Sequence, residues 1–404
     1  MGSRLRGNNG LGVDTLALSE NWPSQMTPTI SHHFDSGAIE VLNIAHTNTT
    51  ADIKLNIRKD SHADFSQWFH FRLSGARGLA CTLRFENAGA CAYPQGWVDY
   101  RAVASYDRAH WFRVPTRYEG GVMTVEHTPQ HDAICYAYFE PYSLERHQAL
   151  IGRVSNSPLA HVERLGASVE GRDIDLVTIG SAGNSKKTIW IIARQHPGES
   201  MAEWFVEGMI ERLLDRADPI SRKLLDAAVV HLVPNMNPDG SVNGNLRTNA
   251  AGANLNREWA NPSLELSPEV FLVRQRIQQT GADAFIDVHG DEALPYVFVS
   301  GGEMLPGFTS EQATVQSTFI TDFKRASPDF QDVHGYAAGK YREQALQLAS
   351  KWVGHTYGCL SLTLELPFKD NANLPDAEVG WNGERSRRLG AAMLGPLLGA
   401  VAGG

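Results

Sequence analysis

The period of the apolar pattern changes once along the chain, near residue 150, and that change limits the folds open to it. From about residue 34 to 142 apolar positions alternate in short runs, among them "AIEVLNIAH", "QWFHFRLSG", "HWFRVPTRY" and "AICYAYFE", separated by Gly, Asn, Asp and Pro clusters. Period-two runs with turn signals and no helical pattern between them predict an antiparallel β-sandwich. Residues 143–160, "SLERHQALIGRVSNSPLA", read as a connecting helix and linker. From residue 161 strand-like runs alternate with longer helical ones. "TIWIIARQH" precedes a stretch in which Ala202, Phe205, Met209, Ile210 and Leu213 recur at helical spacing. There follow "AAVVHLVPN", a helix from about Pro268 to Thr280, "ADAFIDVHG", a helix around "REQALQLASKWVG", the strand "CLSLTLELPF" and a last helix through "RSRRLGAAMLGPLL". Such alternation predicts an α/β sheet, mostly parallel or mixed, covered by helices. The expected organisation is a flexible tail at 1–25, a β-sandwich at 26–150, a linker at 151–160 and a mixed α/β domain at 161–404, with Met26 a candidate start.

A chain of 404 residues has room for two domains of ordinary size. Lys and Arg number 36 against 45 Asp and Glu, a formal charge of −9, which argues against a nucleic-acid partner because phosphate binding needs clustered positive charge. No run approaches the roughly 18 apolar residues of a membrane span, and the first 25 residues lack a secretory h-region, so a cytoplasmic location is expected. The four cysteines, Cys81, Cys91, Cys135 and Cys359, form no C-x-x-C pair and read as reduced, buried thiols.

In open α/β sheets ligands bind beyond the carboxyl ends of the strands. His196 and Glu199 of "RQHPGES" follow one strand, His289 ends "AFIDVH", and Glu365 lies in "LTLEL" opposite the face of Leu362, Leu364 and Leu366. Two histidines and a carboxylate leave a tetrahedral zinc one position open to water, whose pKa then falls to about 7. Each piece alone has an ordinary explanation: H-x-x-E recurs by chance, and a strand-end histidine is usually a hydrogen-bonded core residue. The set is harder to explain away. His231, His32 and His33 lack such company and read as structural or solvated. Residues 233–259, "VPNMNPDGSVNGNLRTNAAGANLNREW", suit tight turns and bring Arg247 and the pair Asn256–Arg257 to the same rim, where arginine offers a planar donor fork to carboxylates and oxyanions.

"HPGE", "NPDG", "GNLR", "GANLNREW", "DVHG" and "LTLE", in that order, resemble the M14 metallocarboxypeptidases. "FDSGAIEV", "QWFHFRL", "FENAG" and "AYFEPYS" are similar to the β-domain that precedes the catalytic domain in the cytosolic carboxypeptidase branch, so the resemblance covers the chain from about residue 30. It implies Zn²⁺ held by His196, Glu199 and His289, with Glu365 as general base and acid toward a zinc-bound water. It further implies that Arg247 stabilises the oxyanion and that Asn256 and Arg257 receive the terminal carboxylate of a peptide or protein tail. Where the family has an aspartate two residues before the Asn–Arg pair, this chain has Asn254, whose amide oxygen can accept from a zinc histidine without adding charge. For the tyrosine that closes many family pockets both Tyr336 and Tyr341 are candidates, and the sequence assigns neither.

The branch implies acidic C-terminal residues, such as glutamate chains on proteins, and hence a cation in the specificity pocket. Lys340, Arg342 and Lys369 lie near the catalytic strand in sequence, although charges so placed are usually solvated. Two rivals stand beside this reading: a zinc amidohydrolase of the related deacylase branch, and a non-catalytic carboxylate-binding protein. The first does not account for the N-terminal sandwich, and the second has no need of Glu365. A serine hydrolase is disfavoured, since no G-x-S-x-G is present.

Overall fold

The computed structural model describes residues 27–183, 185–303, 305–337 and 342–402, without the side chains of 342, 343 and 402. The expected tail at 1–25, Lys340, Tyr341 and the Arg342 side chain lie outside the described residues.

The N-terminal half is built from two five-stranded sheets. One runs in the order Thr29–Ser31, His70–Ser74, Ala133–Ala137, Val103–Ser105 and Phe112–Arg113, the other Glu40–His46, Thr50–Asn56, Ala80–Phe85, Val122–His127 and Thr116–Glu119. All neighbours are antiparallel except Thr50–Asn56 and Ala80–Phe85. A parallel pair needs a long crossover, and here the chain makes it through the His70–Ser74 strand of the other sheet. Alternation does the packing: Ala51, Ile53 and Leu55 are buried while Thr50 and Lys54 are exposed. Phe85 meets Phe69 at 4.7 Å between ring centroids, closing the two inner faces on each other.

A twelve-residue helix, Leu144–Ser155, capped by the Ser143 side chain, leads into the second half. Its seven-stranded sheet has the order Ala160–Ala167, Asp173–Ile179, Ala228–Val233, Lys187–Ala193, Ala284–Asp291, Leu360–Pro367 and Phe298–Ser300. The four strands from Ala228–Val233 to Leu360–Pro367 are mutually parallel, and the outer ones join antiparallel. Strands buried on both faces read as nearly unbroken apolar runs, and every residue of Ala228–Val233, Ala284–Asp291 and Leu360–Pro367 is buried. The fold class is thus a mixed α/β sheet preceded by a mostly antiparallel sandwich.

Several helices differ from the sequence reading. The last one is two, Gly383–Ala392 and Leu394–Ala402, because Pro396 has no N–H to give and its ring collides with the carbonyl four residues back. "REQALQLASKWVG" divides into a 3₁₀ turn at Arg342–Gln347 and a helix at Ala349–Tyr357. "NPDG", read as a turn, opens a short helix at Pro238–Asn243 whose Asn237 side chain accepts from Gly240 N. Pro219–Ala227 and Ser310–Ala326 were not anticipated, although the second starts with a capping box between Thr309 and Gln312.

One hydrophobic core extends from Leu73 and Phe85 of the sandwich to Ile286 and Leu364 of the seven-stranded sheet. Tyr138 stacks on Phe368, one residue past the Leu360–Pro367 strand, at 4.5 Å. The cysteines are free, Cys81, Cys91 and Cys135 being buried, and burial raises all four thiols above their ordinary range.

Candidate metal and peptide site

The Lys187–Ala193 strand stops because Arg194 turns left-handed, at φ 60°. Its buried guanidinium holds the next turn together, donating to Pro197 O at 2.9 Å and Tyr142 O at 2.9 Å and pairing with Glu203 at 2.7 Å. Gly198 follows where a Cβ would come within 3.0 Å of Leu246 O. This turn folds Glu199 back over His196. In the next strand His289 is the cross-strand partner of Glu365 on Leu360–Pro367, so the sheet register alone sets those two side by side.

His196, Glu199 and His289 each place a ligand atom within 4.8 Å of the others, and all three are buried. Glu199 Oε1 lies 2.7 Å from His196 Nδ1 and Oε2 lies 2.7 Å from His289 Nδ1, while the two Nδ1 atoms are 3.1 Å apart. The far nitrogens are committed elsewhere: His196 Nε2 meets Asn254 Oδ1 at 3.1 Å, and His289 Nε2 meets Asp287 Oδ2 at 2.8 Å. Each oxygen takes the Nε2 proton, which leaves the Nδ1 lone pairs facing one another and a carboxylate. Such a donor set repels itself unless a cation sits among it, and two imidazoles with one carboxylate suit zinc.

The surrounding charges shift the two histidines in opposite directions. Burial, and then Arg247, pushes His196 down to about 3. Burial opposes protonation of His289 too, yet Asp287 and Glu199 outweigh it and raise that histidine well above its ordinary value. Glu365 is pushed up to about 8 by burial, with Glu199 and Asp291 adding to the effect and His289 opposing it. Glu365 Oε1 lies 2.9 Å from the Tyr336 hydroxyl, whereas its Oε2 is buried without a hydrogen-bond partner among the described residues.

These groups line a cavity of about 650 Å³ that also includes Arg247, Asn256 and Arg257. The Asn256 side chain accepts from Ala349 N at 2.9 Å and turns its amide nitrogen toward His289 Nε2 at 3.1 Å. Arg257 donates to Asn256 O at 2.7 Å. The Arg247 guanidinium lies 5.6 Å from the Phe65 ring and 5.5 Å from that of Tyr93, both from the N-terminal half. All seven predicted site residues therefore meet around one cavity.

The chain matches the cytosolic carboxypeptidase N-terminal domain over residues 30–139 and the zinc carboxypeptidase family over residues 152–384. It belongs to the M14 zinc carboxypeptidases. It is 60% identical to a metallo-carboxypeptidase of Burkholderia cenocepacia, with a TM-score of 0.91 over 94% of this chain and 100% of that one. A Pseudomonas aeruginosa metallo-carboxypeptidase, solved with (2-guanidinoethylmercapto)succinic acid, is 45% identical with a TM-score of 0.87 over 92% and 98%. Among curated proteins it is 45% identical to an uncharacterized protein of Zymomonas mobilis, over 90% of this chain and 94% of that one. It is 30% identical to human cytosolic carboxypeptidase 6, over 68% and 60%. The protein is thus an enzyme of the metallocarboxypeptidase type in the cytosolic carboxypeptidase-like branch, and no described helix is long and apolar enough to cross a membrane.

Three site residues, Asp287, Gln195 and Lys351, were not found from sequence, and a fourth, Tyr336, was a candidate that the sequence did not assign. Tyr336 bridges Glu365 and Asp291 Oδ2 at 2.9 Å each. Its lack of a diagnostic motif hid it. Asp287 stands two residues before His289 on the same face of the strand, and that spacing was a usable signal. Gln195 donates to Asp287 at 2.8 Å and accepts from Trp259 Nε1 at 2.8 Å, which ties "REW" to the metal turn. Lys351 lines the cavity, where Lys369 does not; Lys369 instead donates to Ala293 O at 3.3 Å.

Proposed function

We propose that the protein hydrolyses the C-terminal residue of peptides or proteins in the cytoplasm, with preference for an acidic last residue. The observation that carries this is the single cavity in which the His196–Glu199–His289 donor set and Glu365 face Arg247, Arg257 and Lys351. His196, Glu199 and His289 would hold Zn²⁺, which would supply a Lewis acid for the scissile carbonyl and for the attacking water. Arg257, beside Asn256, takes the terminal carboxylate and so admits only a chain end. Arg247 offers donors to the oxygen on which charge develops. Glu365 accepts the proton of the attacking water and passes it to the leaving amine, a role that its raised pKa near 8 favours near neutrality. Tyr336 holds Oε1 of that carboxyl and leaves Oε2 for the proton transfer.

Support for the acidic preference comes from Lys351, which lines the cavity with Ser300 and Thr363. Thr363 is two residues before Glu365 on the same face of one strand, so this group lies one step deeper than the base. Lys351 Nζ reaches Ser300 Oγ at 3.4 Å. The ligand of the Pseudomonas relative is itself a dicarboxylic acid, as the last residue of an acidic tail would be, although it bears a guanidinium as well. The test is a mass-spectrometric screen of peptides that differ only in the last residue, each as acid and as C-terminal amide, with and without a chelator. Release of a single acidic residue from the acid form, abolished by the chelator, is expected. Equal hydrolysis of acid and amide forms sinks exopeptidase recognition and favours the deacylase-type rival.

A further inference from the structure

Arg247 sits in a coil with neither helix nor strand to fix it. What fixes it is one segment of the N-terminal half. The backbone N–H groups of Leu246, Arg247 and Thr248 all donate to the Asp60 carboxylate, at 2.6, 2.7 and 2.9 Å, and the Thr248 hydroxyl adds a fourth bond at 3.2 Å. Next to it Ser61 donates to Asn245 Oδ1 through its backbone N at 3.0 Å and its hydroxyl at 3.2 Å. Asp60 N in turn donates to Phe65 O at 2.8 Å, closing a tight loop. That loop presents the Phe65 ring to the Arg247 guanidinium. Tyr93, whose ring also lies near the guanidinium, is held by reciprocal bonds with the Gln67 side chain, each 3.1 Å. Leu246 O accepts from Gly198 N at 2.9 Å, within the turn that carries His196 and Glu199.

We propose that Asp60 is a positioning residue for the hydrolytic reaction, acting through Arg247. This rests on the reading of Arg247 as the donor to the scissile carbonyl. Three successive N–H groups that converge on one point form a partly positive concavity, which a carboxylate fills with charge-assisted bonds. Only a carboxylate has two acceptor oxygens and room for all four donors; an asparagine would turn N–H against N–H. Asp60 is 7% exposed and so holds this geometry away from competing water. The backbone from which Arg247 reaches is thereby set by Asp60, and its guanidinium lies near the rings of Phe65 and Tyr93. The N-terminal sandwich is then a working wall of the active site, beyond any part it plays in folding.

A merely structural staple between the two halves would lower stability and leave the kcat of folded enzyme alone. The deciding experiment is a double-mutant cycle on zinc-loaded, full-length protein, with zinc content and near-UV circular dichroism reporting the folded fraction. Asp60→Asn is expected to lower kcat about 10- to 100-fold at nearly unchanged KM, less than the loss of the donor itself through Arg247→Ala. In the Arg247→Ala background the same Asp60→Asn change is expected to alter kcat by less than about twofold. Equal losses in both backgrounds, or an unchanged kcat in the wild-type background, overturn the proposal. Should Asp60→Asn fail to fold, Phe65→Leu in the same cycle decides on the same criterion. A wild-type kcat in Arg247→Ala overturns the role given to Arg247, and this proposal falls with it, while chelator-sensitive release of the C-terminal residue would leave the carboxypeptidase reading standing.

Discussion

Two kinds of support meet at the cavity. His289 and Glu365 stand opposite each other on adjacent parallel strands, so the sheet's own hydrogen bonds fix their separation. Arg247 stands in coil and Arg257 in the short 3₁₀ turn Leu255–Arg257, and hydrogen bonds do that work: those to distant Asp60 for one, and for the other that to neighbouring Asn256, itself tied to distant Ala349. On the function proposed above, the proton-transfer group Glu365 stands on the rigid element, while the oxyanion donor Arg247 and the carboxylate clamp Arg257 stand on a surface assembled from several parts. The rigid part should therefore fail only where a reacting atom is removed, and the assembled part at positions far from substrate as well.

The largest expected effect lies on the strand side. Glu365→Gln preserves shape and register but removes the proton acceptor, so zinc content and folding should match wild type while kcat falls by roughly 10² to 10⁴. Wild-type turnover would place the base elsewhere. Loss of zinc in this variant would break the comparison itself, since it would show the base and the metal set to be one structural unit.

On the recognition side, Lys351→Met should abolish the advantage of a C-terminal glutamate over leucine, a change of about 10- to 100-fold in kcat/KM, the range of a hydrogen bond to a charged group. Burial lowers the Lys351 pKa to about 8, with Glu303 opposing. A lysine is charged below its pKa, so the preference should be complete below about pH 8 and fade as pH rises through it, visible in kcat/KM because that ratio reports the free enzyme. A preference that persists undiminished to pH 10 would remove Lys351 from the selectivity.

The same division explains what the sequence could tell. Period and order placed His196, Glu199, His289 and Glu365 at strand ends, because strand-end residues converge by topology and topology is legible in alternating apolar runs. Pro268–Thr280 was bounded correctly for a similar reason, with a proline at its start and a glycine just after its end. Lys351 was not legible: it lies in the first turn of the helix Ala349–Tyr357, and nothing local says which of several lysines will face the cavity. Tyr336 was a candidate with no means of choosing it, since its place depends on Asp291 and Glu365, 45 and 29 residues away. Asp60 was not legible, because its partners lie 186 to 188 residues on.

The smallest effect tests the comparison within the metal set. His289 is backed by a carboxylate, Asp287, and His196 by an amide, Asn254. A carboxylate on the outer N–H raises the basicity of the metal-facing nitrogen, whereas an amide orients the ring with little added charge. Removing charge by Asp287→Asn should weaken zinc binding by roughly 10- to 100-fold. Adding it by Asn254→Asp should strengthen binding by less, about tenfold, because a second carboxylate must also be buried beside the first set. Competition with a chromogenic zinc chelator measures both without reference to turnover. If Asn254→Asp leaves affinity unchanged while Asp287→Asn lowers it, the two histidines are unequal ligands and the strand-borne one dominates; if both variants bind zinc as wild type does, the partners serve orientation alone.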